Sequence, residues 1–207
     1  MILCLDSSGP GVQFSLTDDS AGELGCVVAE PRSELSRDMS GLYALLLDAA
    51  GLEDGSGIKR ILVGQGPGTF IGTRVALSFA NGLASASGMA LAQFDSLRAM
   101  QLSAGNPLAL ALRDARRGQY YICDGQLTRL IDEPKLTELL DSAEHVVSDK
   151  VPEVLQQDRS LAHMQDLLAR CSGRLQWLDR LPAGAMLACA EPCPEGYAEP
   201  VYLRGYL

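Results

Sequence analysis

The sequence predicts an α/β protein made of two related halves. Each half opens with short strands joined by tight turns and continues with helices and strands in alternation. The chain has 207 residues, enough for one large domain or two smaller ones. Hydrophobic residues make up 47% and charged residues 21%, which excludes a disordered chain and a fibre. We expect an N-terminal lobe over residues 1–104 and a smaller C-terminal lobe over residues 105–207.

The first half begins with a predicted antiparallel meander. Residues 2–5 form an apolar run that ends in a turn-forming segment rich in Ser, Gly and Pro, residues 6–11. Apolar residues then alternate with polar ones over residues 12–16 and again over 24–28, with a turn between them. Three strands joined by short turns form a meander at one edge of a sheet.

A helix is predicted over residues 33–50, with Ser33 or Ser36 as its cap. Its apolar residues recur every three or four positions, as expected for one buried face. The high leucine content allows a second buried face, so the helix packs either on its own sheet alone or also against a partner. The recurring residues are Leu35, Met39, Leu42, Leu46 and Ala49.

A strand over residues 58–64 leads into a glycine-rich loop, residues 64–73. The loop glycines let the backbone turn sharply, and a helix that starts directly after them offers N–H groups to an anion. Arg74 adds a positive charge at the same place. The P-loop sequence and the dinucleotide fingerprint are both absent, so the loop is either a nucleotide site or a structural and interface loop.

The helix after this loop, predicted over residues 73–86, carries two stripes of small residues. Small residues at a spacing of four let another helix backbone approach closely. One stripe is Ala76, Ala80 and Ala84, and the other is Ser78, Gly82 and Ala86.

The rest of the chain repeats the pattern of the first half. A strand is predicted over residues 89–94, and a helix capped by Asp95 or Ser96 extends to about 103. Strands over 108–112, 120–123 and 126–131 form a second meander, and helices follow near 136–142 and 160–171. The proline-rich region 174–198 is left unassigned.

Two further segments can carry chemistry. Asp6, Ser7 and Ser8 end the first strand, where a carboxylate can hold a cation and hydroxyls can hold phosphate, although these residues also favour turns. Arg116 and Arg117 are adjacent in a predicted hairpin turn, where they bind an anion or are solvated. Neither a GxSxG elbow nor an HxxxH pair is present, so no hydrolase triad, metal site or catalytic residue is predicted.

The net charge and the cysteine pattern indicate which partners the protein binds and where in the cell it is found. The net charge of −9 argues against a protein that binds nucleic acid by itself. No signal peptide and no apolar stretch of membrane-spanning length is visible, and the six cysteines form no CxxC pair. We therefore expect a cytoplasmic protein with reduced thiols and no membrane contact.

Four motifs, in order along the chain, resemble those of the bacterial TsaB (YeaZ) family. The segment Gly66-Pro67-Gly68-Thr69-Phe70-Ile71-Gly72-Thr73-Arg74 is similar to the family's GPGSFTGLR motif. Residues 2–8, ILCLDSS, resemble its ILAIDTS start. Residues 114–121, DARRGQYY, and 198–204, AEPVYLR, resemble its DARxGEVY and EPxYLR segments.

The resemblance implies an actin/Hsp70/sugar-kinase-like fold with two related lobes. It also implies a non-catalytic scaffold or activator in the synthesis of threonylcarbamoyladenosine in tRNA. Its partners would be a TsaD-like catalytic subunit and a TsaE-like ATPase, with a homodimer when alone, and tRNA would be contacted only through the complex. No cofactor is expected, since ATP would bind weakly or through the complex. The alternatives are an ATP-dependent kinase-like enzyme of the same fold and a glycopeptidase-like (M22) hydrolase.

We expect the two helices, 33–50 and 73–86, to form one face of a helical bundle with TsaD or with a second copy. A vestigial phosphate site is assigned to Asp6, Ser7 and Ser8. The loop motif comprises Gly66, Pro67, Gly68, Thr69, Phe70 and Gly72. The partner-binding residues would be Leu35, Met39, Leu42, Leu45, Leu46, Arg74, Val75, Ser78, Phe79 and Gly82.

Overall fold

Two mixed β-sheets organise the chain in a computed structural model that describes residues 1–31, 33, 38–125, 127–151, 153–193 and 195–203. The predicted α/β class with two mixed sheets flanked by helices is confirmed. The strands are β1 (Ile2–Asp6), β2 (Val12–Thr17), β3 (Glu23–Ala29), β4 (Arg60–Gly64), β5 (Ala90–Phe94), β6 (Leu110–Asp114), β7 (Gln119–Cys123), β8 (Thr128–Asp132), β9 (Val146–Asp149), β10 (Leu175–Leu178) and β11 (Ala190–Pro192). The helices are α1 (Met39–Ala49), α2 (Phe70–Ser87), α3 (Ser96–Ser103), α4 (Glu133–Ser142), α5 (Arg159–Ala169) and α6 (Ala183–Ala188).

The two sheets share one topology. In the first sheet, β1, β2 and β3 form the predicted antiparallel meander, and β4 and β5 follow parallel to β1 in the order β5-β4-β1-β2-β3. In the second sheet, β6, β7 and β8 form the second meander, and β9 and β10 give the order β10-β9-β6-β7-β8. The repeat inferred from the strand and helix pattern is therefore present in the strand order.

The final strand joins the first sheet. β11 pairs antiparallel with β5, so the second half of the chain contributes to both sheets. Cys193 and Ala198, which follow β11, are buried in the core beneath the first sheet. The division into an N-terminal lobe of residues 1–104 and a C-terminal lobe of residues 105–207 remains a prediction.

The fold has five layers: α1 with α2, the first sheet, α3 with α6, the second sheet, and α4 with α5. Three apolar clusters lie between these layers. The first lies between α1, α2 and the outer face of the first sheet, and it includes Phe14, Leu42 and Ala80. The second lies between the two sheets, where α3 and α6 contribute Met100 and Met186. The third packs α4 and α5 against the second sheet. Strands buried on both faces explain why β1, β4 and β6 are almost continuous apolar runs.

The two predicted interface helices begin at different residues than expected. The predicted start of the first helix at residue 33 is wrong, because α1 begins at Met39 and the Asp38 side chain caps it by accepting a 2.8 Å hydrogen bond from the Gly41 N–H. Ser36 and Leu35 lie outside the described residues. α2 begins at Phe70, three residues before its predicted start, and ends at Ser87, where Gly88 caps it with a left-handed φ of 66°.

Within the described residues, no helix has both the length and the apolar character needed to cross a bilayer.

Candidate functional site

The glycine-rich loop packs directly against the end of β1. The Thr69 N–H donates to the Ser8 carbonyl at 2.8 Å, and the Thr69 hydroxyl donates to the Ser7 carbonyl at 3.0 Å. A Cβ on Gly68 would overlap the Ser8 carbonyl oxygen, and one on Gly72 would overlap that of Ser7. These two glycines are therefore required for the close approach of two backbones. The structure thus brings together the two segments singled out in the sequence, residues 6–8 and 66–73.

Asp6 lies at the end of β1 and is only 6% exposed. Its carboxylate accepts hydrogen bonds from the Ser8 hydroxyl at 2.9 Å and from the Ser96 hydroxyl at 2.6 Å. Ser96 is the first residue of α3, so this carboxylate joins the loop after β1 to the start of that helix. The hydroxyls offset the cost of burying the charge.

Arg113 connects the second sheet to this site. Its guanidinium holds Asp149 at both carboxylate oxygens, through Nε at 2.5 Å and Nη2 at 3.1 Å. Its Nη1 donates to the Ser8 hydroxyl at 2.7 Å and to the Pro67 carbonyl at 2.9 Å. Burial alone lowers the pKa of Arg113, but the attraction of Asp149, helped by Asp6, outweighs burial and raises it. The side chain is therefore a permanent cation.

Sequence reasoning missed Arg113. It singled out Arg116 and Arg117 in the following turn, because adjacent arginines are a familiar sign of anion binding. The available signal was an arginine directly after the apolar run 108–112. An arginine in such a position is buried with the strand and needs a partner, here Asp149.

The site contains no activated nucleophile in the part of the chain that is described. The Ser8 hydroxyl donates to Asp6 and accepts from Arg113, an arrangement that fixes the serine in place. His145 contacts Gln176 at 3.2 Å and His163 contacts Glu133 at 2.9 Å, so each histidine is engaged elsewhere. Among the described residues, no group of three or more His, Cys, Asp or Glu side chains could hold a metal.

Three of the predicted partner-binding residues on α1 are buried in the core of the protein itself. Met39 is 7% exposed, and Leu42 and Leu46 are fully buried in the cluster that contains Phe14. The α1 stripe therefore packs on its own sheet, and the prediction that these three side chains face a partner is wrong. Leu45 is 45% exposed.

The predicted residues on α2 lie mostly on the surface. Arg74, Ser78 and Gly82 are exposed, and Val75 is 39% exposed. Phe79 is half-buried, because its ring packs edge to face on Phe14, with the ring centres 5.6 Å apart. Ile71, which the sequence analysis did not include among these residues, is 75% exposed on the same helix.

Arg74 joins two of the sequence motifs. Its guanidinium carbon lies 3.8 Å from the centre of the Phe70 ring, and its Nε donates to the Tyr202 hydroxyl at 2.8 Å. Residues 66–74 and 198–203, which are separated by more than half the chain, therefore meet at the start of α2.

A known protein family matches most of the chain. Residues 25–174, more than half of the chain, match the family described as TsaD: tRNA N6-adenosine threonylcarbamoyltransferase. No protein of curated function matches the sequence.

Solved structures share the fold. A Pseudomonas aeruginosa protein described as similar to the peptidase YEAZ is 22% identical, with a TM-score of 0.64 over 98% of this chain and 99% of that one. YeaZ from Pseudomonas aeruginosa is 18% identical, with a TM-score of 0.65 over the same shares. Component A of the Acidaminococcus fermentans (R)-2-hydroxyglutaryl-CoA dehydratase is 10% identical, with a TM-score of 0.50 over 91% and 96% of the two chains.

The predicted actin/Hsp70/sugar-kinase-like fold is confirmed. The chain belongs to the family described as TsaD, tRNA N6-adenosine threonylcarbamoyltransferase, and the resemblance to TsaB (YeaZ) proteins that its motifs predict is confirmed.

Proposed function

We propose that this chain is a non-catalytic scaffold or activator of the assembly that forms N6-threonylcarbamoyladenosine in tRNA. Family membership supports a part in that pathway. The residues at the end of β1 support the non-catalytic role, because Asp6, Ser8 and Arg113 are bonded to one another. The net charge of −9 supports contact with tRNA through the complex rather than through this chain alone.

The exposed side of α2 is the proposed docking surface for a TsaD-like catalytic subunit. Its two small-residue stripes face opposite ways: Ala76, Ala80 and Ala84 are buried against the sheet, whereas Ser78, Gly82 and Ala86 are exposed. The exposed stripe continues through Val75 to Ile71, at spacings of four and three along one helix face. This stripe is the observation that carries the proposal.

Small exposed residues on a helix allow a second helix to pack closely against it. Gly82 has open space around it, so a partner backbone could approach without displacing a side chain. A standard interface buries about 800 Å² on each partner. A single stripe of small residues is too small to provide this area. Leu45 and Arg74 are further exposed residues on α1 and α2 that could extend it.

The same surface would serve a homodimer of the free chain. Both complexes would then compete for α2, so adding the TsaD-like subunit should dissociate the dimer. A TsaE-like ATPase would join only the complex with the catalytic subunit, and ATP would enter through that third component.

The test is the affinity of the full chain for the TsaD-like subunit of the same organism, together with reconstituted tRNA modification. We expect Val75→Asp and Gly82→Leu each to weaken binding at least about tenfold, since they place a charge or a bulky side chain in a close helix contact. Thermal unfolding should change little, because both positions are exposed. The control is Leu127→Asp, a residue 70% exposed between β7 and β8. Unchanged affinity in both α2 variants would exclude this docking surface.

A further inference from the structure

We propose that the N-terminus of α2 is a binding site for an oxyanion, either a phosphate group or a carboxylate. The site lies in a groove of about 960 Å³ between the start of α2 and the turn that joins β6 to β7. The site shares Ile71 with the end of the exposed α2 stripe, but its test needs no docking partner.

The first turn of α2 has free hydrogen-bond donors. Thr69 precedes the helix, but its side chain makes no capping bond because its hydroxyl donates to Ser7. Among the described residues, no acceptor is bonded to the N–H groups of Phe70, Ile71 and Gly72. An 18-residue helix adds its dipole at this end, so three unpaired N–H groups and a partial positive charge meet in the groove.

Thr73 provides an independent sign of a ligand. This residue is 5% exposed, lines the same groove, and its hydroxyl has no hydrogen-bond partner in the described part of the chain. A buried hydroxyl without a partner is costly. The residue is the fourth of α2 and follows the three residues with free N–H groups, and we expect its hydroxyl to donate a hydrogen bond to an oxyanion held there.

The opposite wall of the groove carries three arginines and two aspartates, and Arg116 pairs with Asp114 and Asp158. Arg113 is neutralised by Asp149, but Arg117 forms no ion pair within the described residues. Arg117 has a left-handed φ of 58°, between Arg116 at 69° and Gly118 at 68°. Positive φ angles are typical of tight hairpin turns, and here they place Arg117 in the turn between β6 and β7. In an acidic protein, an arginine without an ion pair in the described part of the chain, opposite a helix N-terminus, favours an anion locally.

The ligand carries its charge at one end of an apolar or aromatic body. Phe70 and Ile71 are more than half exposed at the groove, and Leu161 and Met164 lie along its floor. A phosphorylated small molecule and an acidic side chain flanked by apolar residues share this chemistry. The experiment must therefore separate phosphate from carboxylate.

The test is an NMR titration of the ¹⁵N-labelled full chain with sodium phosphate, sodium acetate and sodium chloride at matched ionic strength. We expect saturable shifts of the Phe70, Ile71 and Gly72 amide signals with an oxyanion and none with chloride. Tighter binding of phosphate would identify a phosphoryl ligand, and equal or tighter binding of acetate would identify a carboxylate. Absence of saturable shifts with both oxyanions, or equal shifts with chloride, would overturn the proposal.

Two variants separate binding from folding. Thr73→Val removes the unpaired hydroxyl, so it should raise the melting temperature of the free protein and still weaken binding of the stronger oxyanion several-fold. Arg117→Ala should weaken that binding about tenfold, the effect of losing one charge-assisted hydrogen bond. The control is Arg170→Ala, an exposed arginine near Asp141 on α4, which should bind as the wild type does. Wild-type affinity in either test variant would contradict the assignment.

Discussion

Arg113 is bound by groups from three segments of the chain. Asp149 comes from β9, Ser8 from the end of β1 and Pro67 from the glycine-rich loop. Since β9 belongs to the second sheet and β1 to the first, this side chain links the two sheets. A buried cation with four hydrogen bonds is stable only while all its partners are in place.

Replacing Arg113 with alanine should destabilise the fold by about 3 kcal/mol, because it leaves Asp149 largely buried without its counter-charge. Urea unfolding followed by circular dichroism would measure this loss. The matched variant is Arg116→Ala, whose side chain is 46% exposed beside Asp158 and should cost less than about 1 kcal/mol. Equal losses in the two variants would show that Arg113 does not link the sheets.

Cys4 should resist alkylation in the folded protein. Burial raises the pKa of its thiol to about 12, against a small opposing effect of Arg60. Only about one molecule in ten thousand would carry the thiolate at pH 8. Since the unfolded thiol has an ordinary pKa near 9, this group also favours the folded state below pH 9 and loses that effect as the pH rises toward 12.

Mass spectrometry after iodoacetamide treatment at pH 8 would test the cysteine prediction. We expect the Cys4 peptide to stay unlabelled until urea is added, whereas Cys26, which is half-buried on the edge strand β3, labels first. Labelling of Cys4 at the rate seen in urea would contradict the burial of this thiol.

At the scale of elements, replacing two glycines of the α2 region with alanine should change the stability of the protein in opposite directions. Gly68→Ala should destabilise the protein by about 2 kcal/mol or more, because its Cβ would overlap the Ser8 carbonyl oxygen. Gly82→Ala should stabilise it by about 0.5–1 kcal/mol, since the position is open and lies inside a helix. Paired thermal and urea unfolding curves would measure both changes. Stabilisation by Gly68→Ala would show that the loop does not lie against β1.

The sequence patterns predict where helices and strands lie better than they predict what each element packs against. Alternating and apolar runs located β1 to β8 to within a few residues, and both meanders followed from the short turns between them. Periodicity also identified the buried face of α1, but it cannot distinguish the protein's own sheet from a partner, which explains the error at Leu42 and Leu46. The same limit applied to the two stripes of α2, only one of which is buried.

The missed elements lack local signals. β9, β10 and β11 have four, four and three residues, too few for an alternating pattern to be recognised. Their positions depend on pairing with strands distant in the sequence, as β11 does with β5. The contacts of Arg113 with residues 8 and 67 are non-local for the same reason.

At the scale of the whole molecule, the repeated topology places the ends of β1 and β6 on facing sheets, with a cleft of about 910 Å³ between them. In an α/β fold, a ligand site is expected at the carboxyl ends of the strands. Here Asp6, Arg113 and Asp149 line that cleft and are already bonded to neighbouring groups. The two carboxylates at these strand ends, Asp6 and Asp149, are therefore already paired, so neither is free to hold a cation.

We expect no ATP binding that depends on both Mg²⁺ and Asp6. A hydrated cation at Asp6 would have to displace the Ser8 and Ser96 hydroxyls and would stand close to the Arg113 guanidinium, which repels it. Calorimetric titration of the full chain with ATP, with and without magnesium, would test this in the wild type and in Asp6→Asn. The control is Asp124→Asn, which removes a partly exposed carboxylate beside Arg129. A heat that requires magnesium and disappears only in Asp6→Asn would favour the kinase-like alternative, whereas oxyanion binding at α2 would be insensitive to both changes.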